Sequence, residues 1–561
     1  MGLLKKGKKK ELKIVNRGGG GGISSDRPQY VEKLAPCIGE CPSGNDVRRW
    51  LTIIAQREKT KINEEEALAR AWEQYVETNP FPSSMGRVCP HPCETACNRT
   101  HKDGAVSINA CERYIGDFGM EKGLKLKKLT DEQHPESIGV IGAGPAGLSF
   151  AYQLVRRGYQ VTVYEATDKA GGMLYWGIPF YRLPADVLQK EIDRIVDLGV
   201  ELKLNCKVGK DISVDELKSK HKAIFLGIGA FKGKLMKIPG EEGSSVYTGT
   251  DYLFKVHAGE DIDVGKSVVV VGGGDTAIDA ARMARRAGAD VTILYRRTRV
   301  EMPAIDSEVE DALKEDVKIE FLVAPIEVKR DGDGKMQEIV IQRMELGEPD
   351  SSGRRRPVPK EGDTYNIAVD TMIAAVSQQP DFEPIPEMGP TGRWLEADEH
   401  MKVKDKDIVW TGGDALDLGI ATTAVGQGRK AAEAVISMLS GEHEPYKDER
   451  PPVPKERIKL DWYEEKARNE RSHRPVEEWL SKPSEEITMG FSQEQLFAEV
   501  DRCFSCGSCF GCENCWMYCT PSCFKKLSEQ VPGSYFSLKI DTCDGCKKCA
   551  DECPCGYIDM V

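Results

Sequence analysis

The segment RCFSCGSCFGCENCWMYC, residues 502 to 519, spaces six cysteines almost evenly: Cys503, Cys506, Cys509, Cys512, Cys515 and Cys519. Close to the chain end, Cys543, Cys546, Cys549 and Cys553 form a C-x2-C-x2-C-x3-C run followed by Pro554. Thiolates at this spacing hold an iron-sulfur cluster, and in paired runs the fourth cysteine of each ligates the other run's cluster. In the upstream segment only Cys509, Cys512, Cys515 and Cys519 keep the three-residue gap. The expected sets are therefore Cys509, Cys512 and Cys515 with Cys553, and Cys543, Cys546 and Cys549 with Cys519. Zinc is the competing metal, but tetrahedral zinc sites rarely use two interleaved runs of this form. Cys503 and Cys506 are left over, as free thiols or as ligands of something else. Cys523 and Cys555, beside the ligands, read as apolar pocket residues.

Two glycine turns carry the second kind of chemistry. Gly142, Gly144 and Gly147 fit G-x-G-x-x-G between the strand-like IGVI and a helical run, with Glu165 ending the next strand. Such a turn lets a dinucleotide's pyrophosphate rest on the helix N-terminus, while the acid holds the ribose hydroxyls. A second unit has Gly272, Gly273, Gly274, Asp275 and Thr276, with Ala277 in place of the third glycine. Its second strand ends in YRRTR, where Arg296, Arg297 and Arg299 could pair with a 2'-phosphate; this favours NADPH over NADH. A solvated turn is the plainer reading of these arginines.

The elements that position these groups must form several domains, because 561 residues exceed a single core. The pattern divides into a basic, Gly-rich tail (1–29), a helical metal domain (30–130), and a first nucleotide-binding part (131–255). A second nucleotide-binding domain (256–370), the return of the first (371–440), a Pro- and charge-rich connector (441–500) and the cysteine-dense end (501–561) follow. Nineteen cysteines without a signal peptide point to a reducing cytoplasm and to metal rather than disulfides. The net charge of −12 disfavours nucleic acid, and no apolar run is long enough to span a membrane. Cys206, far from the other cysteines, reads as a core residue. A disulfide-reductase reading fails, since residues 112 to 502 contain only this cysteine.

Two nucleotide units, the second inserted in the first, resemble the two-dinucleotide-binding-domain flavoproteins. AGGMLYWGIPFYRLP and YRRTRVEMPA narrow the resemblance to the glutamate synthase small subunit and its relatives. The resemblance implies an α/β fold with FAD in the first unit, held by Gly142, Gly144, Pro145, Ala146, Gly147 and Glu165. It adds Gly172, Met173, Leu174, Gly177 and Arg182, with Gly413 and Asp414 of TGGDA and Thr422, Thr423 and Ala424 of the next helix start. CIGECP, GRVCPHPCETAC and VSINACERYI resemble the same family's helical iron-sulfur domain, which carries two [4Fe-4S] clusters. One cluster maps onto Cys41, Cys89 and Cys93 with a fourth ligand at Glu112, for which neighbouring Cys111 is a rival. The other needs a C-x2-C pair that this chain lacks upstream of Cys37. DRCFSCG resembles that missing piece, so Cys503 and Cys506 are expected to fold back and join Cys37 and Cys97.

Together these features imply an NAD(P)H:acceptor oxidoreductase with FAD, a fused two-cluster ferredoxin-like α+β module and about four [4Fe-4S] clusters. It resembles the DsrL-type flavoprotein serving dissimilatory sulfite reductase and the NAD(P)H-linked subunit of 2-oxoacid:ferredoxin oxidoreductases. Either implies a redox complex or a ferredoxin as partner. No catalytic residue beyond the cofactors is expected, since a flavin needs the protein only to position it and set its potential. A non-catalytic docking subunit is the remote alternative.

Overall fold

The computed structural model describes residues 24–351, 353–390, 392–441 and 447–561. Most of the tail expected over 1–29 lies outside them, but its end does not. Pro28–Tyr30 is a strand paired antiparallel with Ile558–Met560, so the beginning and end of the chain close one small sheet.

The helical domain is built on Val47–Ala55, Glu64–Val76, Pro82–Val88 and Ile108–Glu121. Asn63 caps the second helix by accepting from the Glu66 N–H at 2.8 Å, and three glutamates in its first turn complement the helix dipole. Pro82–Val88 crosses Ile108–Glu121 so closely that a Cβ at Gly86 or Gly116 would strike the opposite backbone. Trp50, Trp72, Met85 and Ile115 are buried in the same apolar cluster as Val140, Phe150 and Val425 of the first nucleotide unit. The helical domain and the first nucleotide unit thus share one core.

Each nucleotide unit is a five-stranded parallel sheet. The first runs Val409–Thr411, Ala223–Leu226, Ser137–Ile141, Gln160–Tyr164, Glu201–Lys203. Its central strands are buried on both faces, which is why they read as unbroken apolar runs. The second runs Lys318–Phe321, Asp290–Tyr295, Ser267–Val271, Thr371–Ala374, Val246–Thr248. The chain leaves the first sheet, forms the second between Val246 and Ala374, and returns at Val409, so the second unit is an insertion. A three-stranded antiparallel meander, Val323–Arg330, Met336–Pro349 and Arg355–Ala368, accounts for the strand-like runs beyond residue 315.

From 447 onward the chain wraps the helical domain. Leu34 exchanges backbone bonds with Pro451 and Val453, Arg468 pairs with Glu94 at 2.8 Å, and the Arg113 guanidinium donates to the Thr488 carbonyl at 2.6 Å. The final segment is pinned by Arg502, fully buried, which donates to Glu499 at 2.5 Å, Asp103 at 3.1 Å and the carbonyls of Gly104 and Ala105. Beyond it lie a hairpin, Phe524–Val531 with Ser534–Leu538, and two single-turn helices, Asn514–Tyr518 and Lys548–Asp551. Among the described residues no helix is long and apolar enough to cross a membrane.

Candidate cofactor cleft and cysteine pockets

The first glycine turn opens into a cleft of about 370 Å³. Gly142 has φ +95°, and a Cβ there would strike the Gly227 carbonyl, so no other residue fits. Gly144 caps the helix Pro145–Val155, with free N–H groups facing the cleft at its start. Glu165 is held ready: one oxygen accepts from the Ala143 N–H at 2.8 Å and the other from the Thr167 N–H at 2.9 Å. Opposite, the Gly413 N–H donates to Gln427 at 2.6 Å, and Asp414 accepts from the Gly419 N–H at 3.1 Å. Burial raises the Asp414 carboxyl to about 6.

Of the residues assigned to this site from sequence, Gly142, Gly144, Pro145, Ala146, Glu165, Gly172, Met173, Leu174, Gly413, Asp414 and Ala424 line the cleft. Gly147, Gly177, Thr422, Thr423 and Arg182 do not. Gly147 has a packing role, since a Cβ would strike the Gly142 carbonyl and push helix from strand. Gly177 closes the turn Met173–Trp176. Thr423 only continues the start of helix Ala421–Ser440, its N–H donating to Ile420. Arg182 turns toward the second unit, pairing with Asp279 at 2.8 Å and Glu308 at 3.1 Å. Cys206 is half-buried, packing against the apolar cluster of Val208 and Leu226 and also lining the cleft. Trp176, Phe231 and Phe254 line it too, and no local pattern marks them in the sequence.

In the second unit Gly272, at φ +150°, lies against the Ala375 carbonyl, and a Cβ at Gly273 would strike the Tyr295 ring. Gly274 has open space beside it and caps the helix Asp275–Arg286, which Thr276 continues. Asp275 is engaged by the Ile305 N–H at 3.0 Å. The three arginines part company. Arg297 is buried against Asp350 at 2.8 Å and the Arg355 carbonyl, and Arg299 pairs with Asp306. Arg296 is exposed and makes no hydrogen bond or ion pair among the described residues.

The cysteines gather in four places. Cys37, Cys97, Cys503 and Cys506 ring one cavity with Arg48, Asn98 and Phe504. Cys509, Cys512, Cys515 and Cys553, with Cys555, ring a second. Cys519, Cys543, Cys546 and Cys549, with Cys523, ring a third, where Cys546 is exposed. In the fourth, Cys41, Cys89 and Cys93 stand within electrostatic reach of Glu112, whose carboxylate accepts from the Tyr75 hydroxyl and, at 3.3 Å, from Asn109. Cys111, one residue away on the helix, faces Glu499, Glu94 and Cys503 instead. Burial pushes Cys89 and Cys506 up to about 12 and Cys503 to about 11, whereas the hydrogen bond with Cys555 brings Cys553 down to about 6. Buried thiolates therefore need a positive group from outside the protein, as iron supplies. Among the described residues no three metal-binding side chains converge on a single ion. Four sulfurs around a void suit a cluster better than a lone zinc.

The helix that borders the cleft also touches the Cys41, Cys89 and Cys93 group. Thr422 sits between cleft-lining Ala421 and Ala424, and its hydroxyl donates to the Cys89 sulfur at 3.1 Å. The same helix packs on the Cys41 loop, where a Cβ at Gly426 would strike the Pro42 carbonyl.

Residues 136–428 match the family described as pyridine nucleotide-disulphide oxidoreductase, and residues 30–124 match dihydropyrimidine dehydrogenase domain II, 4Fe-4S cluster. The chain is 35% identical over 520 residues to the NADPH-Fe(3+) oxidoreductase subunit beta of Geobacter sulfurreducens, covering 85% of this chain and 76% of that one. It is 33% identical over 425 residues to the glutamate synthase [NADPH] small chain of Escherichia coli, covering 72% and 88%. The NADP(+)-dependent formate dehydrogenase subunit beta of Moorella thermoacetica is 35% identical over 457 residues, covering 76% and 63%.

Proposed function

Because the chain belongs to the pyridine nucleotide-disulphide oxidoreductase family, in the group of the glutamate synthase small chain, we propose that it passes electrons between NADPH and a redox partner. FAD in the cleft would exchange a hydride with the nicotinamide, and four [4Fe-4S] clusters would carry the electrons singly. The helix start at Gly144 and the carboxylate of Glu165 would hold the flavin's pyrophosphate and ribose. Asp414 approaches from the other wall, and apolar Trp176, Phe231 and Phe254 exclude water. Arg296 is the free cation for a 2'-phosphate.

One observation carries the reading: a cysteine group lies directly against the helix that borders the cleft. Thr422 joins the cleft wall to the Cys41, Cys89, Cys93 and Glu112 group. The ring of Cys37, Cys97, Cys503 and Cys506 would follow, then the two rings of the terminal segment, which would act as a ferredoxin-like module with Cys519 and Cys553 exchanged between runs. Exposed Cys546 puts the last ring nearest the surface, where electrons would leave or enter. Relatives named as beta subunits support a place inside a redox complex, with a ferredoxin, a dissimilatory sulfite reductase or a 2-oxoacid:ferredoxin oxidoreductase as candidate partners.

Anaerobically purified chain should hold flavin and about sixteen irons, four per cluster. NADPH should bleach the flavin bands, raise a reduced-cluster paramagnetic signal and drive reduction of a viologen dye. Absence of dye reduction in iron-replete protein would overturn the reading.

A further inference from the structure

The ring of Cys37, Cys97, Cys503 and Cys506 and the ring of Cys509, Cys512, Cys515 and Cys553 are each lined by a phenylalanine. Phe504 lines the first and Phe510 the second. Between them stands Tyr463, from a connector that contains no cysteine. Its ring stacks on Phe504 at 4.1 Å between centroids and faces Phe510 at 6.0 Å, the planes within 30° in both cases. Trp462 closes the rim against Phe510 at 5.4 Å. Val453, Ile458 and Leu460 pack in the same apolar cluster as Tyr463, Phe504 and Cys506.

We propose that Tyr463 is the positioning residue for electron transfer between these two cysteine rings, filling their gap so that the electron crosses packed atoms. The proposal rests on the cluster assignment above and adds a residue that carries no ligand. In the step one site loses an electron and the other gains it; no bond forms or breaks, and no proton moves. Coupling between redox sites falls steeply across empty space, and a void here would leave both walls without contacts. Tyr463 acts as filling rather than as a radical relay. Oxidising a phenol releases its proton, and the Tyr463 hydroxyl donates at 2.8 Å to the Phe504 carbonyl oxygen, which cannot take a proton up.

The test is rapid-freeze paramagnetic resonance on the full-length holoprotein after mixing with NADPH, with iron content and equilibrium potentials measured on the same samples. Tyr463→Phe keeps the ring and should transfer at the wild-type rate. Tyr463→Ala opens the gap: flavin bleaching, iron content and potentials should be unchanged. The later half of the spins should then appear roughly ten- to a hundredfold more slowly, the scale on which ångström-sized misplacements are felt. Tyr463→Leu leaves a smaller gap and should fall between; it replaces the alanine variant if that one sheds iron. An unchanged rate in whichever of the two keeps its iron overturns the proposal, as does an equal loss in Tyr463→Phe. A wild-type chain whose flavin bleaches without any cluster signal sinks the functional reading and this proposal together. Normal wild-type transfer with an indifferent alanine variant sinks this proposal alone.

Discussion

At the scale of single residues, near neighbours in sequence have been given different work by the fold. Arg296, Arg297 and Arg299 look equivalent in YRRTR, yet two are occupied by Asp350 and Asp306 and only Arg296 is free. A charged hydrogen bond contributes about 1.5–3 kcal/mol. Arg296→Ala should therefore raise KM for NADPH by roughly ten- to a hundredfold and leave NADH unaffected; a parallel loss for both nucleotides in steady-state kinetics would refute this. Glu112 and Cys111 are separated the same way, since successive helical residues point about 100° apart. The carboxylate faces Cys41, Cys89 and Cys93, and the thiol faces Glu499. Glu112→Ala should lower iron content by about four atoms per chain, one cluster's worth. Cys111→Ser should keep its iron; the opposite pattern in metal analysis would make the thiol the ligand.

At the scale of elements, the joints between units matter more than the units. Glu191, on helix Ala185–Asp197, accepts from the N–H groups of Ser83 at 2.7 Å and Ser84 at 3.0 Å, fastening the first nucleotide unit to helix Pro82–Val88. Burial raises its carboxyl to about 7, against the bonds from Ser83 and Ser84 and the charge of Arg194, which lower it. A carboxyl raised on folding binds its proton more tightly in the native state, so the associated stability is full below about 4.5 and is lost as pH rises toward 7. The total is on the order of 3 kcal/mol. Melting temperatures of wild type and Glu191→Gln should therefore diverge across pH 5.5 to 8, only the wild type showing this loss; parallel curves would refute it. Such joints were also where sequence reading stopped. Glycine turns, the Glu165 strand end and the cysteine runs are local patterns, and they locate both nucleotide units and every cysteine that rings a cavity. Arg182 was placed in the cleft because its partners, Asp279 and Glu308, lie about a hundred residues on in another unit. The cleft-facing place of Cys206 and the pairing of Pro28–Tyr30 with Ile558–Met560 are illegible for the same reason: nothing within a short window records which distant backbone will lie alongside.

At the scale of the whole molecule, apolar packing is unevenly spread. The shared core of the helical domain and first nucleotide unit is large and carbon-rich, from Trp50 through Phe150 to Val435. The terminal module is different: five of its ten buried apolar residues are cysteines, Cys515, Cys523, Cys549, Cys553 and Cys555. About sixty residues are marginal for an independent core even when all the apolar side chains are hydrocarbon. Its attachment relies on polar pins, Arg502 with Glu499 and Asp103, Lys33 to the Gly556 carbonyl at 2.7 Å, and the edge strand Pro28–Tyr30. Those pins hold the base of the module and leave the hairpin Phe524–Val531 and Ser534–Leu538 dependent on the cysteine pockets beneath it. Where metal completes the core, binding free energy becomes folding free energy. Chelating the iron anaerobically under reducing conditions should therefore abolish amide-exchange protection across that hairpin and around Lys548–Asp551. The strands Ser137–Ile141 and Ala223–Leu226 should keep theirs, because sub-global opening follows local core content. Equal protection in the hairpin before and after chelation would show that the module is held by the polypeptide alone, and would remove iron from the account of how this segment folds.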